Sequence, residues 1–72
     1  MNVLRVENNN RIMEASLDAD AAVLIREEGK VDARYSVAEG VLALAEQKGP
    51  DRVIGSTIDE VLQALVHKHA AR

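Results

Sequence analysis

Cysteine, phenylalanine and tryptophan are absent from the 72 residues, and proline and tyrosine occur once each. Without cysteine there is no disulfide framework and no thiolate metal site, and the redox compartment leaves no trace in the composition. Without Phe and Trp the core lacks the side chains that bury roughly 150–250 Å² apiece. It must be assembled from Val, Leu, Ile, Ala and Met. A folded chain of this length buries only about 60% of the surface its unfolded form exposes. With disulfides and thiolate metal sites excluded, a partner subunit is the remaining common support, so self-association is the first expectation.

Charge of either sign is also unclustered. Nine Lys and Arg oppose twelve Asp and Glu, a net charge of −3, and the basic residues are scattered from Arg5 to Arg72. A mildly acidic, mixed surface favours solubility over affinity for phosphate backbones. No apolar run approaches the roughly 18 residues of a membrane span. The opening MNVLRVENNN lacks the basic flank and apolar stretch of a signal peptide. A cytosolic protein is expected, with the size of the small accessory and regulatory proteins of microbes and viruses, as one domain over residues 1–72.

The C-terminal half carries the plainest pattern. Ile58, Val61, Leu62, Leu65, Val66 and His69 recur at helical spacing, with Asp59, Glu60, Gln63, His67 and Lys68 on the other side, which reads as an amphipathic helix. Thr57 followed by Glu60 has the spacing of a capping box, in which two backbone N–H groups without helical partners are satisfied reciprocally. Ser36 and Glu39 repeat that spacing, and Lys48-Gly49-Pro50 supplies a stop, which places another helix at about 37–48. Its apolar residues exceed one stripe. Val37, Val41 and Leu44 form one, Ala38, Leu42 and Ala45 a second beside it, and a helix apolar over most of its girth is packed on two sides. Gly40 within it would let another backbone approach closely, at a propensity cost of about 1 kcal/mol relative to Ala.

Segment 23–35 admits two readings. As a hairpin with a loop at Glu28-Gly29-Lys30, Val23 faces Tyr35, Ile25 faces Ala33, Leu24 faces Arg34, Arg26 faces Asp32 and Glu27 faces Val31, so that Val23, Ile25, Val31, Ala33 and Tyr35 share one face. As a helix, Val31, Tyr35, Ala38, Leu42 and Ala45 also fall at helical spacing, which leads to an all-α three-helix protein. Ser36 decides between them, because a capping residue with its Glu partner belongs at a helix start. Tyr35 therefore ends a strand, and its hydroxyl requires a partner or water near the strand-to-helix joint. A second hairpin is expected upstream, with strands at 3–7 and 11–17 around an Asn8-Asn9-Asn10 turn, pairing Glu7 with Arg11 and Val6 with Ile12. Residues 17–22 read as a connector. The fold class is α+β, with N-terminal β-hairpins packed on two short C-terminal helices.

Motifs for chemistry are thin. His67 and His69 are two apart, which on a helix turns them away from each other, so a basic helix end complementing the helix dipole is preferred to a metal site. Gly55-Ser56-Thr57 before a helix could hold an anion, but it lacks the glycines and lysine of a phosphate loop, and capping explains the same residues. The acid pairs Asp18/Asp20, Glu27/Glu28 and Asp59/Glu60 sit in turns or a first helical turn, where charge is ordinarily solvated. No catalytic residue, cofactor or metal is assigned. The expected function is that of a non-enzymatic, protein-binding accessory or regulatory module acting as a homodimer. Val37, Ala38, Val41, Leu42 and Ala45 with Tyr35 form the expected dimer or partner surface. The alternative is a small nucleic-acid-binding regulator that places Arg5 and Arg11 on one strand face.

Overall fold

The computed structural model describes residues 3–71. Four strands precede two helices: β1 (Val3–Asn8), β2 (Arg11–Leu17), β3 (Ala22–Glu27), β4 (Lys30–Ser36), α1 (Val37–Lys48) and α2 (Ile58–Ala70), with one 3-10 turn at Pro50–Arg52 between the helices. The strands form an antiparallel meander in chain order. The architecture is α+β, and the all-α alternative is excluded because Tyr35 lies in β4.

Both tight turns hold two residues where the sequence suggests three. Asn9 and Asn10 have φ of 51° and 65°, and Glu28 and Gly29 have 54° and 79°, the pair of positive φ values that matches a hairpin turn to the right-handed twist of its strands. In the first hairpin the shorter turn moves the whole register by one residue. Val6 faces Met13 and Glu7 faces Ile12, so Met13 and Ala15 enter the core while Ile12 stays 41% exposed. In the second hairpin a bulge between Ile25 and Arg26 absorbs the shift. Val23–Tyr35, Leu24–Arg34 and Ile25–Ala33 then pair as expected, but Arg26 faces Val31 instead of Asp32, and Glu27 faces Lys30. Val31 accordingly leaves the shared face and stands 56% exposed. Between β2 and β3 the Asp18 carboxylate accepts from the N–H groups of Asp20 and Ala22 at 2.9 and 3.0 Å, and thereby builds the connector.

Both capping boxes form. The Ser36 hydroxyl accepts from the Glu39 N–H at 3.0 Å while the Glu39 carboxylate accepts from the Ser36 N–H, and Thr57 with Glu60 does the same for α2. The chain leaves α1 through Gly49, at φ 95° with its N–H on the Ala45 carbonyl. The helices lie on one face of the sheet, α2 over β1 and β2 and α1 over β3 and β4. Between the layers Met13, Val23 and Ile25 meet Leu62, Leu65 and Val66, all essentially without solvent contact. Gly40 is where the two helices come closest: a Cβ there would overlap Val61 Cγ1 and lie 2.9 Å from Leu65 Cδ1. The close approach inferred for Gly40 is thus made by α2 of the same chain. Among the described residues, no helix is long and apolar enough to cross a membrane.

Candidate functional site

The bulge in β4 has a consequence for side-chain chemistry. It turns Asp32 toward the helix side, where its carboxylate hydrogen-bonds His69 Nε2 in the last turn of α2. The other ring nitrogen, Nδ1, lies 2.8 Å from the Tyr35 hydroxyl, and the two rings meet edge to face with centroids 5.9 Å apart. A neutral imidazole with its proton on Nε2 satisfies both contacts: it donates to Asp32 and accepts from Tyr35. Beside this trio, Arg11 donates two hydrogen bonds of 2.8 Å to the Glu27 carboxylate. That pairing lowers the Glu27 carboxyl below its ordinary value and raises Arg11 above its own.

Asp32 and Tyr35 form a polar seam that binds the end of α2 to β4, and beside it Arg11 and Glu27 tie β2 to β3. Tyr35 is 7% exposed and the His69 side chain 10%, while the Asp32 side chain is 47% exposed and opens the group to solvent on one side. Among the described residues no group of three or more His, Cys, Asp or Glu could hold a metal ion. A surface hollow of about 350 Å³ is lined by the consecutive residues Glu7–Ile12 of one hairpin, a turn flank with no convergence of elements. Within the seam the geometry supports clamping.

Among the described residues, two surfaces have no element packed over them. The first is the outer side of α1. Its core side carries the buried Gly40, Ala43 and Leu44, and Ala38, Val41, Leu42 and Ala45 fall on the opposite side at helical spacing. Val41 is 38% and Leu42 58% exposed, Ala38 is exposed and Ala45 half-buried. The second is the sheet face away from the helices, where Val3, Ile12, Leu24 and Val31 alternate with Arg5, Glu14, Arg26 and Arg34.

The residues expected to form one interface are therefore divided. Ala38, Val41, Leu42 and Ala45 stand together, Val37 packs against the core, and Tyr35 is buried beneath the helices. Arg5 and Arg11 lie on opposite faces, because the one-residue register shift pairs Arg5 with Glu14 and turns Arg11 toward Glu27. Arg34 is likewise engaged, 2.9 Å from Asp18. The sequence reading placed His69 on the α2 stripe and at a basic helix end but missed its pairing with Asp32 and Tyr35. The available signals were the position of His69 on the apolar stripe of α2 and the unmet need of the Tyr35 hydroxyl for a partner. No protein-family model, curated protein or solved structure matches the chain.

Proposed function

We propose that this chain is a small non-enzymatic protein-binding module that acts as a homodimer and presents the outer stripe of α1 to its partner protein. The observation that carries the reading is the placement of Ala38, Val41, Leu42 and Ala45 on the side of the helix turned away from the buried Gly40 and Ala43, with Val41 and Leu42 exposed. Scattered exposed apolar residues need no explanation, but a stripe at helical period supports recognition by a groove or by another helix. The seam supports the same reading from another direction, since Asp32 and Tyr35 hold His69 of α2 and Arg11 and Glu27 hold each other.

The test is a comparison of the wild-type chain with Leu42→Asp. Leu42 is 58% exposed, so the variant should keep its melting temperature while losing the proteins that wild type retains from a lysate. Retention of the same proteins by both would remove α1 from the reading. Light scattering should report about twice the 7.8 kDa chain mass for the assembled form. The nucleic-acid alternative loses the pair of residues expected to carry it, since Arg5 and Arg11 lie on opposite faces and Arg11 is paired with Glu27.

A further inference from the structure

The sheet has two edges, and they differ. β4 is bulged at its centre and runs directly into α1, and a bulge is one of the devices that discourages edge pairing. β1 has none of these devices apart from its charges: its six residues pair with β2 without interruption, and it contains neither Pro nor Gly. In a two-residue hairpin the residues flanking the turn, here Asn8 and Arg11, form a hydrogen-bonded pair. Asn8, Val6 and Leu4 therefore bond inward, and Val3, Arg5 and Glu7 turn their N–H and C=O groups outward. Arg5 and Glu7 are exposed and in no ion pair among the described residues.

We infer that two copies of this chain join by antiparallel pairing of β1 with β1, with Val6 on the twofold axis and Arg5 opposite Glu7 of the second copy. This register matches outward-facing residues with outward-facing residues, so each Arg5–Glu7 pair exchanges both backbone hydrogen bonds. It sets opposite charges against each other twice. On the helix side Val6 meets Val6 of the second copy, and the half-buried Leu4 and Val6 lose more of their solvent contact. Moving the axis to Arg5 would instead oppose two arginines. The chemistry of the edge thus specifies a second copy, because the strand is complementary to itself in charge. The outer stripe of α1, over the β3–β4 side, stays available in the pair.

The inference rests on the self-association proposed above, and the experiment separates the two. Sedimentation equilibrium of the full chain compares wild type, Glu7→Arg, Arg5→Glu and the double exchange, with circular dichroism melts as the check on folding. Glu7 faces Ile12 within its own chain, so Glu7→Arg is the cleaner single variant. Each reversal should raise the dissociation constant about tenfold by replacing attraction with like-charge opposition in both pairs. The double exchange should return it to within about twofold. In parallel, the amide hydrogens of Arg5 and Glu7 should exchange more slowly as concentration rises. A wild-type dimer indifferent to all three substitutions would overturn the β1 pairing and leave self-association standing. A wild-type monomer throughout the concentration range would overturn both.

Discussion

Replacing Gly40 with alanine sets two effects of opposite sign against each other. By helix propensity alone the change stabilises α1 by about 1 kcal/mol. The added Cβ, however, would overlap Val61 Cγ1 and lie 2.9 Å from Leu65 Cδ1. Leu65 can answer by rotating the end of its side chain, but Val61 is stiff at χ1 and only 6% exposed. Overpacking of this kind typically costs about 1–3 kcal/mol. Crowding should win, with a net loss of about 1 kcal/mol, equivalent to a fall of about 4–8 °C in melting temperature for a domain of this size. Urea unfolding of Gly40→Ala measures the loss. Val61→Ala removes the crowding atom, so in that background Gly40→Ala should become neutral or stabilising. Stabilisation by Gly40→Ala in the otherwise native chain would refute the argument, since the helices would then have room to spare.

Ser36→Ala should cost about 0.5–2 kcal/mol by removing the cap of α1, while Ser36→Asp should be tolerated; paired denaturant melts give both values, and a neutral Ser36→Ala would contradict the capping role. Acid sensitivity is expected as well. Glu27 and Glu60 are held below the ordinary 4.5 by hydrogen bonds from Arg11 and Lys48, and Asp18 below 3.8 by the Ala22 N–H. Carboxyls lowered in the folded state contribute stability that is complete above their unfolded values and is lost as pH falls through the folded ones, so this share should begin to fall below about pH 5 and be lost at more acid pH. Glu27→Gln cannot titrate, and its stability deficit relative to wild type should shrink between about pH 6 and about pH 3; a deficit independent of pH would assign the effect to packing.

The parts of the fold written in local pattern were legible. Ser36 with Glu39 and Thr57 with Glu60 fixed both helix starts to the residue, because a capping box is complete within four positions. The strand reading of Tyr35 followed from the first of these. What escaped depends on counting turn residues or on distant packing. A three-residue loop and a two-residue loop look alike in Asn8-Asn9-Asn10, yet they differ by one place in register and so by the face on which Arg11 and Ile12 lie. The β4 bulge has no sequence mark, and it carries Asp32 to His69. On α1 the apolar residues were evident, but which stripe faces inward is decided by Gly40 and its contact with α2. Val41 thus joined Leu42 outside, and Tyr35 left the expected surface for the core.

The meander topology distributes the entropy of chain closure unevenly. Each strand pair closes a loop of only two or four residues, so the sheet is assembled from contacts local in sequence. The seam does the opposite, joining Asp32 and Tyr35 to His69 across separations of 37 and 34 residues. With closure costing about 0.6 kcal/mol for each doubling of length, these contacts carry roughly 2–3 kcal/mol more closure entropy than a hairpin turn. The docking of α2 is therefore the step in which most of the chain's long-range order is purchased, and the segment 49–57 sets its terms. A chain cut there would lose the covalent link to the helix that supplies Leu62, Leu65 and Val66 to the core.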